Sequence, residues 1–233
     1  MKRFYDAVDV RQEAGGWQVT LDGRGIRTVK GSQQVAPTET LARLMASEWD
    51  VQGEELDPAQ FPFRDMADYA IDIVAPDPSA VADKVVTYGD TDTLLYRADP
   101  DEPLFARQQE VWEPLVSAFE NRLGIELIRV SGIIHKSQSE TALGTLRERL
   151  AGHDPFTLAP LEAMTSLAAS LVVGLSAIDS ESEADTAALW QAASLEEEWQ
   201  ADLWGRDSEA EDRRAKRQRD FLMAWEFARA ARD

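Results

Sequence analysis

Residues 16–22 read Gly16-Trp17-Gln18-Val19-Thr20-Leu21-Asp22, a stretch in which apolar and polar side chains alternate. Such alternation predicts a half-buried β-strand, because successive side chains of a strand point to opposite faces. Glycines at 15–16 and 23–25 flank this strand and supply the positive φ that tight hairpin turns need. We therefore predict a preceding strand at residues 7–10 and a third strand at residues 26–29.

The hydrophobic pattern changes to a helical period after Ala36. Thr38 is suited to cap a first helix, and Gly53 to stop it. The sequence thus predicts an α+β fold with a small N-terminal antiparallel β domain, residues 1–36. A larger, all-helical C-terminal domain follows in residues 37–233.

Three segments of the second domain carry specific expectations. Residues 158–178 are long and apolar enough to span a membrane, but they contain Glu162 and four hydroxyl residues without basic flanks, so a buried core helix is predicted. Ser180 with Glu183 forms a capping box for one long helix through Leu203, and Ser208 with Glu211 forms another for a closing helix. Residues 125–130 are rich enough in β-branched side chains for a minor strand.

Charge and composition narrow the classes of function. Acidic residues outnumber basic ones by 43 to 24, which gives a formal charge of −19. Such a surface repels nucleic acid phosphates and anionic lipids, so neither nucleic acid nor membrane insertion is expected. The chain has no cysteine, and residues 1–6 lack the features of a signal or transit segment. A monomer in the cytoplasm is the expectation.

Motifs for catalysis are weak. Gly15–Gly16 and Gly23–Gly25 lie in predicted hairpin turns, so they do not form a phosphate loop. Asp90 and Asp92 could hold a divalent metal ion or act as nucleophile and acid. A capping turn, in which these carboxylates accept backbone N–H groups, is the preferred interpretation.

A dense basic run lies near the C-terminus. It could bind phosphate or an acidic partner, but acidic residues precede it on the same predicted helix, so a solvated face is preferred. Its members are Arg213, Arg214, Lys216, Arg217 and Arg219.

Several motifs, in collinear order over nearly the whole chain, resemble those of the ATP synthase assembly factor twelve family. They are Arg3-Phe4-Tyr5, the stretch 16–24, Glu48 to Pro58, Ala70-Ile71-Asp72, Tyr88 to Asp92 with Leu95 to Ala98, Arg107-Gln108 with Trp112 to Leu115, and Leu195 to Gln200 with Trp204-Gly205.

This resemblance implies a chaperone without catalytic residues, cofactor or metal. Its partner would be the free alpha subunit of the F-type ATP synthase, whose subunit interface it would shield from aggregation until assembly of the catalytic sector. The absence of a transit segment suggests a bacterial cytoplasmic member, in contrast to mitochondrial relatives in the matrix. The implied partner-binding residues are Glu196, Glu198, Trp199, Gln200 and Trp204, with Glu48, Trp49, Asp50 and Gln52 as a second set.

Two other functions remain open from the residues alone. One is a metal-dependent hydrolase that uses Asp90 and Asp92. The other is an acidic scaffold for a different client, since one fold can serve several partners.

Overall fold

The structure, a computed structural model, describes residues 1–132 and 134–233. Two compact units account for these residues. The first unit contains Met1–Pro78, Asp154–Pro160 and Met223–Asp233, and the second contains Ser79–His153 and Leu161–Leu222.

The elements follow in chain order. The strands are β1 (Val8–Glu13), β2 (Gly16–Leu21), β3 (Arg24–Gly25), β4 (Val35–Ala36), β5 (Tyr96–Arg97) and β6 (Val130–Ser131). The α-helices are α1 (Glu39–Asp50), α2 (Pro62–Tyr69), α3 (Pro78–Asp90), α4 (Pro103–Leu123), α5 (Glu140–Ala151), α6 (Pro155–Ala168), α7 (Leu171–Ile178), α8 (Glu183–Ala193), α9 (Leu195–Trp204) and α10 (Ser208–Ala230).

The first unit is built around β2, as the alternating sequence predicted. β2 pairs antiparallel with β1 on one side, and with β3 and then β4 on the other. Gly16 has a φ of 156°, and a Cβ there would lie 2.1 Å from the carbonyl oxygen of Ala36. Only glycine therefore allows β4 to approach so closely.

The third strand is shorter than predicted and lies earlier in the chain. It covers Arg24–Gly25, and the chain then turns so that Arg27 and Gln33 pair only as an isolated bridge. The turn is fixed by Asp72, whose carboxylate accepts bonds from the Thr28 hydroxyl at 2.9 Å and from the Lys30 N–H at 3.0 Å. These side-chain bonds compete with a continued strand.

The sheet is covered by α1, which begins as predicted with the Thr38 hydroxyl accepting the Leu41 N–H. Leu41, Met45 and Trp49 from this helix join a core that also contains Val19 of β2. The apolar face of the sheet is buried only because α1 covers it, so α1 belongs to the same unit. The first unit therefore continues through Pro78 rather than ending at the predicted boundary after Ala36.

Glu48 organises the next helix from within that core. The N–H groups of Phe63 and Arg64, at the start of α2, donate to its two carboxylate oxygens at 2.6 and 2.9 Å. The α2 N-cap residue, Phe61, has no capping side chain of its own. Glu48 thus supplies the acceptors that the first turn of a helix lacks.

The second unit is mainly helical, and α4 contains Pro114 within its length. It also contains a short two-stranded parallel sheet of β5 and β6, so the predicted helical second part carries a minor β element. The predicted strand at residues 125–130 is reduced to Val130–Ser131. The N–H groups of Leu127 and Ile128 donate instead to the side chains of Glu120 and Gln138, which leaves them unavailable for strand pairing.

The apolar stretch 158–178 forms two helices rather than one. The chain breaks at Ala169, which has a φ of 48°, and Ser170 then caps α7. Asp92 stabilises this break, because its carboxylate accepts the Ser170 hydroxyl at 2.7 Å and the Val172 N–H at 2.9 Å. Among the helices of the described residues, none combines the length and apolarity that a membrane crossing requires.

The helix predicted to start at Ser180 is also divided. Ser182, not Ser180, caps α8, and the chain bends at Ser194 before α9. Similarly, Asp207 rather than Ser208 accepts the Ala210 N–H at the start of α10. Both shifts are small because Ser and Asp at neighbouring positions can serve equally well as caps.

We predict that Asp92→Ala lowers the free energy of unfolding by about 3 kcal/mol. The substitution leaves a buried hydroxyl and the N–H groups of Leu94 and Val172 without an acceptor. Chemical denaturation of the variant and of Asp90→Ala, whose carboxylate is more exposed, measures this. Equal losses for the two variants would contradict the structural role assigned to Asp92.

We predict that Glu48→Gln changes how stability depends on pH. Burial raises the pKa of Glu48 to about 7 from its ordinary 4.5, although the Phe63 and Arg64 N–H groups act in the opposite direction. A carboxyl whose pKa is raised on folding contributes stability that is present below its unfolded pKa and lost as the pH rises through its folded pKa.

The free energy of unfolding of the unaltered chain should therefore decline, relative to Glu48→Gln, from about pH 4.5 to above about pH 7. Urea denaturation of both proteins across this range gives the difference. A difference that stays constant, or that moves in favour of the unaltered chain as the pH rises, would contradict the prediction.

Candidate functional site

The first set of predicted residues lies on α9 and at its end. Leu195 and Ala201 anchor this helix in the second unit, and Gly205 ends it with a φ of 99°. Trp204 is 86% exposed and the neighbouring Leu203 68% exposed. Two large apolar side chains thus face solvent together, which is unusual for a surface without a partner.

Glu196 is half-buried and forms a hydrogen bond to α4. Its carboxylate accepts the Gln108 side-chain N–H at 2.6 Å, and Gln108 in turn accepts the Ala98 N–H at 2.8 Å. Burial raises the pKa of Glu196, partly offset by the Gln108 bond. Glu196 therefore links α9 to α4 in addition to lying beside the exposed residues.

Glu198 belongs to an ion-pair network. Its oxygens lie 3.0 Å from Arg206 and 3.3 Å from Arg214. Arg206 also pairs with Asp202 at 2.8 Å and with Glu211 at 3.2 Å. Networks hold surface geometry better than isolated ion pairs do, so the start of α10 is fixed beside α9.

The basic run of α10 is largely paired within the protein. Arg213 binds Glu209 at 2.6 Å and Lys216 binds Asp220 at 2.7 Å, both four residues apart on the helix. Arg217 binds Glu197 at 2.8 Å and lies over the Trp190 ring. These contacts support the solvated-face interpretation.

Between α9 and α10 lies a groove of about 780 Å³, the α9/α10 groove. Gln200, Ala201 and Trp204 line one side, and Arg213, Arg214 and Arg217 line the other. Gln200 is exposed and Trp199 is half-buried. An aromatic side chain with a polar, ion-paired rim is the composition of a protein-binding patch rather than of a catalytic site.

The second set of predicted residues is placed differently. Glu48, Trp49 and Gln52 are at most 7% exposed, and only Asp50 lies on the surface. Gln52 donates to the Glu48 carbonyl and accepts the Asp57 N–H. All three side chains are required by the core and by the start of α2, so their first role is structural.

Asp90 and Asp92 both use their carboxylates to accept backbone N–H groups. Asp90 accepts the Gln138 N–H at 2.6 Å, and His135 Nε2 lies 3.2 Å from its other oxygen. Asp92 is fully buried among hydrogen-bond donors, and burial raises its pKa to about 6. Within residues 1–132 and 134–233, no three His, Asp or Glu side chains converge as a metal site would require.

Sequence reasoning missed part of this surface. Leu203 entered the prediction only as the end of a long helix, yet at the end of α9 it is an exposed apolar residue. Arg206 was not considered, although its position between two acidic runs was a usable signal. Its pairing with residues on α9 and α10 depends on the sharp change of direction at Gly205, which the sequence marked only as a helix end.

Three comparisons agree on the relatives of this chain. The crystal structure of Atp12 from Paracoccus denitrificans has a TM-score of 0.92 and 37% identity, over 99% of this chain and 98% of that one. The Atu1473 protein from Agrobacterium tumefaciens has a TM-score of 0.91 and 36% identity, over 98% and 85% of the two chains.

The protein atp12, mitochondrial, of Schizosaccharomyces pombe is 28% identical over 217 residues, which cover 88% of this chain and 74% of that protein. A family model described as ATP12 chaperone protein matches residues 2–120, more than half of the chain. The agreement of sequence, motif order and three-dimensional structure shows that the chain belongs to the ATP12 chaperone family, which acts in ATP synthase assembly.

Proposed function

We propose that this chaperone binds the free alpha subunit of the F-type ATP synthase. It would cover the face that later meets the beta subunit, and release the subunit as the catalytic sector assembles. Family membership supports a role in this assembly. The observation that carries the proposal is the pair of exposed apolar side chains, Leu203 and Trp204, beside the α9/α10 groove.

The physical requirement for such a protein is clear. A subunit of an obligate ring exposes a large apolar face before assembly, and such faces aggregate. A chaperone must cover that face and yet be displaced by the proper neighbour. A small aromatic anchor within a polar rim meets both needs, because it gives specific contact without the buried area of a permanent interface.

In this proposal each residue of the first set has a distinct role. Trp204 inserts into the client, and Gln200 with Glu198 forms the polar rim. Trp199 and Glu196 hold α9 in place, since both are half-buried and Glu196 binds Gln108. No step of this cycle makes or breaks a covalent bond, so the proposed activity is not enzymatic.

Asp50 is the remaining exposed member of the second set and lies in the first unit. We propose it as a secondary contact only. Glu48, Trp49 and Gln52 would affect client binding indirectly, through the stability of the first unit.

The proposal predicts selective capture of the alpha subunit. Purified chain should retain separately expressed alpha subunit, but not beta subunit, in a pull-down without ATP. It should also reduce aggregation of the alpha subunit measured by light scattering. Capture of both subunits alike, or of neither, would overturn this choice of client and favour a scaffold for another partner.

A second prediction concerns Trp204→Ala. If Trp204 is the anchor, the variant should bind the alpha subunit at least about tenfold more weakly, a loss of about 1.4 kcal/mol. Its thermal midpoint should hardly change, because the side chain is 86% exposed.

Val51→Ala is the matched control, since Val51 is also an exposed apolar residue, at 68%, but lies on the first unit. Titration calorimetry with the alpha subunit compares the two variants. Unchanged affinity of Trp204→Ala would remove α9 from the binding surface.

A further inference from the structure

A second surface, within the first unit, is built around four aromatic side chains that contact one another in series. We call Phe4, Tyr5, Trp49 and Phe61 the aromatic row. Ring centroids are 5.4 Å apart for Phe4 and Tyr5, 5.6 Å for Tyr5 and Trp49, and 4.6 Å for Trp49 and Phe61. The row begins in the core at Phe61, which is 2% exposed, and ends at Phe4, which is 60% exposed.

A groove of about 520 Å³, the N-terminal groove, runs beside the exposed end of this row. Its floor is made of buried side chains, including Tyr5, Ile26 and Trp49. Phe4 and Val29 stand at its edge, and Val29 is 88% exposed. The groove therefore combines an apolar, preformed floor with apolar side chains that have no cover in the described structure.

Arginine supplies the positive charge of this groove. Arg24, Arg27 and Arg64 line it. Arg64 lies 4.3 Å above the Phe61 ring and is held by Asp65. Arg24 lies within electrostatic range of Asp22, and Arg27 donates to the carbonyl oxygen of Gly31 at 2.7 Å. Among the residues that line the groove, arginine outnumbers aspartate by three to two, on a chain with a formal charge of −19.

The two acidic residues of the groove already accept hydrogen bonds from other groups of the protein. Asp22 accepts the backbone N–H groups of Asp6 and Ala7, at 3.1 and 2.9 Å. Asp68 is buried and accepts the Val29 N–H and the side-chain amide of Gln34. Trp49 carries a buried indole N–H without an acceptor among the described residues. Each of the two carboxylates thus already accepts at least one backbone N–H group of the protein itself.

We propose that the N-terminal groove docks a segment of a partner protein in which a large apolar side chain is flanked by carboxylates. The apolar side chain would pack between Phe4 and Val29, and the carboxylates would bind Arg24 and Arg27. Guanidinium groups suit this role because their planar N–H donors match a carboxylate in two parallel bonds. A basic segment would meet like charge, and a purely apolar one would leave the arginines unused.

This inference does not depend on the identity of the client proposed above. It concerns the first unit, whereas the α9/α10 groove lies in the second unit. The two sites can accordingly be tested, and can fail, separately.

The direct test is a titration of the isotope-labelled full chain, followed by NMR. The probe is the capped peptide Asp-Glu-Phe-Leu-Asp-Glu, and its control is Lys-Lys-Phe-Leu-Lys-Lys. We expect the acidic peptide to shift the backbone amides of Gly25, Ile26 and Val29 with a dissociation constant of about 1 mM or below. The basic peptide should leave these amides unshifted.

Charge reversal then tests the arginines. Arg24→Glu with Arg27→Glu should weaken binding of the acidic peptide at least about tenfold. Arg107→Glu with Arg147→Glu is the matched control, because it makes the same change in net charge at two exposed arginines of the second unit. Phe4→Ala is an independent variant that keeps all charges and should also weaken binding.

Amide spectra of each variant establish that it is folded. The proposal is overturned if the acidic peptide shifts no amide of the groove up to about 5 mM, if the basic peptide binds equally well, or if the two charge-reversed pairs lose affinity alike.

Discussion

A carboxylate withdrawn from water is stable only when donors surround it, and two such carboxylates organise this protein. Asp92 receives the N–H groups of Leu94 and Val172 and the hydroxyl of Ser170, and in this way fixes the start of α7. Glu48 receives two N–H groups at the start of α2. In each unit, one buried carboxylate thus accepts N–H groups at the start of a helix. These N–H groups have no acceptor within the helix itself.

The many acidic residues of this chain do not all have the same role. Acidic residues that appear side by side in the sequence have separate tasks once the chain is folded. Asp92 and Glu48 are structural, Glu198 belongs to an ion-pair network with Arg206 and Arg214, and Glu196 binds Gln108. The net charge therefore gives only the average charge of the whole molecule. Recognition depends on the few places where charged or apolar side chains are not engaged within the protein.

Two such places stand out, one in each unit. At the end of α9, Leu203 and Trp204 face solvent beside a rim whose charges are paired. In the N-terminal groove, Arg24 and Arg27 lie beside an apolar floor, and the two aspartates accept backbone N–H groups. An assembly chaperone has to hold a client and then give way to the next subunit. Separate contacts of modest size allow this, because each can be released on its own.

The sequence by itself determined the small β part followed by helices, the strand β2 and the Thr38 cap, because periodicity and caps are local properties, and the order of its motifs determined the family. It did not reveal that residues 158–178 divide at Ala169, or that β5 and β6 pair, since both depend on partners far along the chain. Nor could it decide that Trp49 is buried and Trp204 exposed, because the exposure of a helix position depends on which elements pack against it. Only the tertiary structure, by packing α1 against β2 and ending α9 at Gly205, made the first tryptophan core and left the second exposed.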